Sequence, residues 1–288
     1  MKFKDTFFSN NLSINCRGSL LDLSSPVIMA ILNVTPDSFF DGGRYSQKTD
    51  LEQRIDEIIS QGADIIDVGG FSSRPGAKII DADEELKRLR PAVELIRKRS
   101  PDIPVSIDSY RRNVVEKLFF EFGVDIINDI TAAEGDPELS EFAAEQHLPY
   151  IIMHMKGLPL SMQDNPEYKD VVNDLLDIFD KKIVKLHSKG LNDIIIDPGF
   201  GFGKTLNHNY EILSALEVFK SFEIPILAGL SRKSMIYKFL ETNPDSALNG
   251  TTALNMFALT KGVNILRVHD VKEARQTLSL FNKLKGIE

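Results

Sequence analysis

The chain has 288 residues, of which 42% are hydrophobic and 26% charged. This is a globular composition with ample core and room for one large domain or two ordinary ones. A formal net charge of −8 argues against a broad nucleic-acid surface, but a few Lys and Arg at one site can still hold a small anion.

The single cysteine, Cys16, excludes an intrachain disulfide and a cysteine-based zinc site. It reads as a small apolar residue. No apolar run approaches the roughly 20 residues needed to span a bilayer. The stretch from Met1 to Phe8 lacks a signal-peptide core and cleavage site, so a cytoplasmic location is expected, with no membrane partner. Leu12, Ile14, Leu20, Leu21 and Leu23 alternate weakly around Arg17-Gly18, which predicts a hairpin or cap over residues 1–26.

The run from Val27 to Leu32 is wholly apolar and reads as a strand buried on both faces. It ends on Asn33, and Pro36, Asp37, Ser38, Phe39, Phe40, Asp41, Gly42 and Gly43 follow. Those residues cannot continue a strand. Two aromatics, two carboxylates and two glycines in one loop suit a cover for a ligand. The alternative is an ordinary strand exit whose aromatics pack on a neighbouring helix.

From there one pattern recurs. Short apolar strands are predicted at 27–33, 64–70, 104–109, 125–130, 149–155, 193–198, 225–231 and 264–269. Amphipathic helices are predicted at 49–61, 83–99, 111–122, 137–146, 168–189, 207–219, 234–240, 246–261 and 271–285. Eight strands, each followed by a helix, match a (β/α)8 TIM barrel spanning 1–288 as one domain, with 1–26 as its N-terminal β-hairpin cap. An open doubly wound sheet is the runner-up, but it usually has fewer strands and no crossover here suggests a reversal of strand order.

Active sites of such barrels lie at the C-terminal strand ends. Those ends are polar here: Asn33, Gly69-Gly70, Asp108, Asn128-Asp129, His154, Asp197, Ser231-Arg232-Lys233-Ser234, Arg267 and His269. The upstream halves of the same strands are Val, Ile, Leu and Ala. Asp108 alone is an ordinary helix cap, and Asn128 alone an ordinary turn residue. Together they make a polar cup above an apolar barrel.

The cup holds two chemistries. Asp108, Asn128, Asp197 and Lys233 suit the flat donor and acceptor edge of an aminopyrimidinone ring. Arg267 and His269, two apart on one strand, point to one face and suit an anion. Asn33, Asp37 and Asp41 can hold a hard cation such as Mg²⁺, and a phosphate ester between Arg, His and Mg²⁺ would be stabilised as a leaving group. Ser234 opens a predicted helix, where backbone N–H groups favour a carboxylate.

Two other patterns fail. Gly199-Phe-Gly-Phe-Gly-Lys204-Thr205 resembles a Walker A loop, but Pro198 stands where that motif needs its first Gly. It also lacks the acidic residue of a dinucleotide fingerprint. His147, His187 and His208 fall in or beside helices and read as structural. His154 sits at a strand end and reads as packing.

The motifs Asn33-Val-Thr-Pro-Asp-Ser-Phe39, Gly69 to Gly76, Ser106-Ile-Asp108-Ser, Ile127-Asn128-Asp129, Asp197 to Lys204, Ser231-Arg-Lys-Ser234 and Arg267-Val-His269 run in order over all eight strands. They closely resemble the dihydropteroate synthases of folate biosynthesis. The resemblance implies a Mg²⁺-dependent transferase, probed by sulfonamides and commonly a homodimer. It would condense 6-hydroxymethyl-7,8-dihydropterin diphosphate with 4-aminobenzoate to 7,8-dihydropteroate and pyrophosphate. Asp108, Asn128, Asp197 and Lys233 would then hold the pterin. Asn33, Ser73, Arg267 and His269 would serve the diphosphate, and Asn33, Asp37 and Asp41 its metal. Phe39, Arg74, Pro75, Phe202 and Ser234 would form the aminobenzoate pocket. Asp108, Asp197, Lys233, Arg267 and His269 would carry catalysis, by dissociative loss of pyrophosphate and amine attack on a pterin cation. One departure is plain: Phe71 stands where the family usually has Glu. A pterin-dependent methyltransferase has no use for a diphosphate site at Arg267 and His269. A non-catalytic pterin-binding paralogue would be expected to lose Lys233 or the loop residues, all of which are present.

Overall fold

The computed structural model describes residues 12–35, 44–71, 80–157 and 166–286. The chain opens with a hairpin of β1 (Ser13–Cys16) and β2 (Ser19–Asp22), turning at Arg17-Gly18. There follow β3 (Val27–Asn33), α1 (Arg44–Ser60), β4 (Ile65–Gly69), α2 (Ala82–Arg99), β5 (Val105–Asp108) and α3 (Arg112–Phe122). Next come β6 (Ile126–Asp129), α4 (Pro137–Glu145), β7 (Tyr150–Met153), α5 (Val171–Ser188), β8 (Ile194–Asp197) and α6 (Leu206–Ser214). The chain ends with β9 (Leu227–Ala228), α7 (Ser234–Tyr237), α8 (Leu248–Thr260), β10 (Ile265–Val268) and α9 (Val271–Lys285).

The eight strands from β3 onward are all parallel, in the order β8-β7-β6-β5-β4-β3-β10-β9. A parallel bridge between Ile196 and Ile226 joins the two edges, so the sheet closes into the expected (β/α)8 barrel with the hairpin added at its start. Closure removes the exposed edges that would otherwise template aggregation.

Alternation along the strands sorts the residues. Ile28, Ala30, Leu32, Ile66, Val68, Ile127 and Ile196 point outward and are buried under the helices. Val27, Met29, Ile65, Ile126, Ile151, Ile195, Leu227 and Ile265 point inward and fill the lower barrel. Ile14, Cys16 and Leu23 of the N-terminal segment pack into that same cluster, so the hairpin plugs the bottom of the barrel. Burial pushes the Cys16 thiol up to about 12, as expected of an inert apolar filler. Arg17 Nε pairs with Asp125 Oδ1 at 2.6 Å, Asn15 N donates to Asp193 Oδ2 at 3.0 Å, and Asn264 Nδ2 donates to the Leu23 carbonyl at 3.0 Å. These bonds fasten the plug to the barrel floor.

Several boundaries differ from expectation, and α1 begins at Arg44, five residues ahead of the expected start at 49. The seventh barrel strand pairs only over Leu227–Ala228, because the chain curls back at once: Lys233 N donates to the Leu230 carbonyl and Arg232 is left-handed at φ 54°. The helix expected at 207–219 stops at Ser214 and continues as a 3₁₀ turn over Leu216–Phe222. Leu216 and Phe219 stay buried there, since a spacing of three keeps one face in either geometry. The helix expected at 234–240 is a single turn. Among the described residues no helix is long and apolar enough to cross a membrane.

Candidate active site

The inward parity that fills the lower barrel carries upward into the site. Two residues above Ile126 stands Asn128, and two above Ile195 stands Asp197. Above Ile265 come Arg267 and then His269, and above Ile65 come Asp67 and then Gly69. An apolar floor therefore becomes a polar mouth within a few ångströms of rise.

Arg267 lies at the centre. Its Nη2 reaches Asp108 Oδ2 at 2.7 Å, and its Nε reaches Asp67 Oδ2 at 2.7 Å. Asn128 Nδ2 donates to that same Asp67 oxygen at 3.0 Å. Gly69 has no side chain where one would crowd the mouth: a Cβ there would stand 3.2 Å from Asn33 Oδ1 and 3.6 Å from Asp108 Cβ. A Cβ on Gly229 would meet Lys233 Nζ at 3.9 Å and Arg267 Cβ at 4.0 Å. Asn33, Asp108, Asn128, Asp197, Lys233, Arg267 and His269 thus share one end of the barrel.

Burial and crowding set the charges. Burial pushes Asp108 up to about 7, against the pull of Arg267 and with Asp67 adding to the rise. Asp197 is also raised by burial, and Lys233 opposes that rise. Lys233 is pushed down to about 8 by burial, with Asp197 holding it back. His269 is brought down to about 4, first by burial and then by Arg267, so it is a neutral donor at pH 7. The strong pull of Asp67 and Asp108 raises Arg267 despite its burial.

The loop after β8 is wrapped around two lysines. Asp197 Oδ1 accepts from Gly199 N at 2.7 Å, and Lys233 Nζ donates to the Phe200 carbonyl. Lys233 Nζ also sits 4.6 Å from the centre of the Phe202 ring, which places a cation on the ring face. Lys204, buried, points back into its own loop. Its Nζ meets the carbonyls of Gly199 at 2.9 Å, Phe202 at 3.0 Å and His154 at 3.2 Å, and His154 Nδ1 at 2.9 Å. Because Lys only donates, His154 accepts through Nδ1 and carries its proton on Nε2. Burial and the nearby Lys204 bring His154 down to about 2. Gly199, at φ 71°, is obligatory here, since a Cβ would fall 2.0 Å from the His154 carbonyl oxygen.

The next loop is tied across as well. Arg232 grips Asp270 through Nε at 2.9 Å and Nη2 at 2.7 Å, and Ser231 Oγ accepts from His269 N at 3.2 Å. Ser234 begins a helix of one turn, too short for the helix dipole expected to favour a carboxylate there.

Several sequence expectations sort cleanly. Asp129 faces away from the mouth. It accepts from Tyr150 Oη at 2.6 Å, Thr131 Oγ1 at 2.7 Å and Ala133 N at 2.7 Å, so it braces the loop after β6. His208 forms a capping box with Thr205 at the start of α6, in keeping with a structural role. Phe71 packs edge-on against Tyr110 at 5.7 Å, and Tyr110 lies under Arg111, which pairs with buried Glu85. An apolar ring contact therefore stands at the family's Glu position. Asp37, Phe39, Asp41, Ser73, Arg74 and Pro75 lie outside the described residues. Sequence reasoning missed Asp67 and the Lys204–His154 pair. The signal for Asp67 was a lone charge inside the run Ile65-Ile66-Asp67-Val68, at the same parity as Gly69.

The model of the pterin binding enzyme family matches residues 29–269. The dihydropteroate synthase of Escherichia coli (strain K12) is 42% identical over 269 residues, 93% of this chain and 94% of the relative. Among solved structures, a Yersinia pestis dihydropteroate synthase in complex with a sulfonamide drug superposes with a TM-score of 0.88 at 39% identity, covering 96% of this chain and all of the other. A Xanthomonas albilineans dihydropteroate synthase with 4-aminobenzoic acid gives a TM-score of 0.88 at 32% identity, with the same coverage. The chain belongs to the pterin-binding enzymes, and within them to the dihydropteroate synthases, transferases of folate biosynthesis.

Proposed function

We propose that the barrel mouth condenses 6-hydroxymethyl-7,8-dihydropterin diphosphate with 4-aminobenzoate, giving 7,8-dihydropteroate and pyrophosphate. The observation that carries this reading is the meeting of ring-binding and anion-binding groups on one guanidinium, with Arg267 at 2.7 Å from Asp108 and joined through Asp67 to Asn128.

Asp108, Asn128, Asp197 and Lys233 hold the pterin edge. The C–O bond between the pterin methylene and the diphosphate breaks first, and its electron pair leaves with pyrophosphate. Asp108 and Asp197 stabilise the positive charge left on the methylene and ring, without bonding to it. Arg267, neutral His269, Asn33 and Ser73 donate to the departing diphosphate. The aminobenzoate nitrogen attacks the methylene carbon and sheds one proton to solvent. Phe39, Arg74, Pro75, Phe202 and Ser234 hold the aminobenzoate, and Phe202 adjoins the pterin side of the site through Lys233, whose Nζ lies 4.6 Å from its ring centre.

Mg²⁺ is the proposed cofactor, held through Asn33 with Asp37 and Asp41. Oxygen donors of this kind suit a hard cation. When bound, Mg²⁺ supplies positive charge against the diphosphate. A cytoplasmic homodimer is the proposed state. Exposed Phe239, Leu240, Phe257 and Leu280, after α7 and on α8 and α9, give the late elements apolar surface for a second copy. Sedimentation at micromolar concentration should show twice the chain mass. The reaction itself is tested by incubating the protein with both substrates and Mg²⁺. Dihydropteroate and pyrophosphate should appear in equal amounts, and a preparation of folded protein that forms neither refutes the assignment.

A further inference from the structure

We infer that Asp67 is a positioning residue that couples the ring-binding and leaving-group halves of the site through a single oxygen. This rests on the pterin reading of Asn128 and the diphosphate reading of Arg267.

Asp67 is fully buried, and its Oδ2 accepts from Asn128 Nδ2 at 3.0 Å and Arg267 Nε at 2.7 Å, with Arg267 Nη2 ion-paired 2.6 Å away. A carboxylate oxygen at this point serves both donors and the charge, because an amide would turn either a weaker oxygen or its own N–H toward the guanidinium. The consequence for Asn128 is directional. With its amide nitrogen engaged by Asp67, the carbonyl oxygen is the group turned toward a ligand, so Asn128 acts as an acceptor for a ring N–H. The consequence for Arg267 is similar. Asp67 takes Nε and Asp108 takes Nη2, and among the described residues no hydrogen bond engages Nη1, the nitrogen available to an anion. A shift of Arg267 toward a bound diphosphate therefore pulls on the oxygen that orients Asn128. Asp67 Oδ1 has no hydrogen-bond partner among the described residues. A buried carboxylate held by one oxygen alone is tolerated where it serves a site and not the core.

The test is a pair of double-mutant cycles on kcat/KM, with Asn128→Ala and Arg267→Lys made in the native chain and again in Asp67→Asn. In the native chain the combined loss should fall short of the product of the single losses by about tenfold. In Asp67→Asn the two losses should multiply to within about twofold. Coupling that survives Asp67→Asn, or that is missing from the native chain while both single changes are harmful, overturns the inference. Single changes without any effect refute instead the site reading beneath it. Asn128→Asp needs no change at Asp67 and covers the case in which Asp67→Asn does not fold. Its new carboxylate would abut Asp67, so affinity for the diphosphate-free hydroxymethyl pterin should fall at least about tenfold below that of Asn128→Ala. Equal affinities of these two variants overturn the inference.

Discussion

Arg267 Nη2 and Asp108 Oδ2, 159 positions apart in sequence, stand 2.7 Å apart in the barrel mouth. Asp67 shares the same guanidinium, so two carboxylates face one cation. The surplus negative charge is what a pterin cation would neutralise, and in the free protein it is destabilising. Asp108 is pushed up to about 7, so the folded state prefers it protonated. Its contribution to stability is full below its ordinary value of 3.8 and is lost as pH rises through about 7. Asp108→Asn should therefore raise Tm at pH 8 by on the order of 5 °C, with the gain vanishing toward pH 4. Turnover should fall by about 100-fold or more. Calorimetry at the two pH values checks the first statement, and a lower Tm at pH 8 contradicts it.

The rate should respond to pH on both sides of neutrality. In the proposed mechanism Asp108 acts ionised, to stabilise the cation, and Lys233 acts as an ammonium donor to the ring. With Asp108 at about 7 and Lys233 at about 8, kcat/KM should follow a narrow bell centred between them. Lys233→Arg should flatten the basic limb, since a guanidinium does not titrate there. A basic limb unchanged in Lys233→Arg would assign it to another group.

Lys204 offers a spectroscopic check on the loop that carries Phe202. Removing its ammonium in Lys204→Met leaves the Gly199, Phe202 and His154 carbonyls short of a donor, at roughly 1–3 kcal/mol for each one left buried and unpaired. The Tm should fall by several degrees. The His154 imidazole, held at about 2 by burial first and Lys204 second, should titrate at higher pH while staying below 6.5, because its burial remains. Nuclear magnetic resonance of the ring protons reads this directly, and an unmoved titration would deny the contact.

Arg232 combines a useful side chain with a strained backbone. It holds Asp270 with two hydrogen bonds at φ 54°, a conformation that Gly adopts freely and Ala does not. Arg232→Ala and Arg232→Gly lose the same ion pair, so the Gly variant should be the more stable by about 1 kcal/mol in urea denaturation. An Ala variant that is equally stable would place the strain elsewhere.

The barrel was legible because each strand states its parity. Ile195 and Asp197, or Ile265 and Arg267, carry both the inward apolar layer and the polar rim within three residues. The motifs at Asp197 to Lys204 and Ser231 to Ser234 pointed to the end of the barrel at which the chemistry is proposed to sit. What escaped was what only tertiary contact decides. Asp129 looks like Asn128's equal in sequence, yet one step of pleat turns it to Tyr150. Lys204 looks like a phosphate lysine, yet its ammonium folds back on its own loop. Asp67 sits below the strand end, where polar residues were sought, and its worth depends on Arg267, 200 positions away. The breaks at Ala215 and after Ala228 were equally hidden, because a spacing of three suits both helix types and a short strand reads like a long one until Arg232 turns.

The dissociative step is most directly examined with substrate carrying ¹⁸O in the oxygen that bridges the methylene and the diphosphate. Incubated with the protein and Mg²⁺ in the presence of an unreactive aminobenzoate analogue, the recovered substrate should show the label spread to non-bridging positions of the adjoining phosphoryl group, as reversible C–O cleavage requires. Label that stays wholly at the bridge, in protein that turns over normally with aminobenzoate, would contradict a cation held by Asp108 and Asp197.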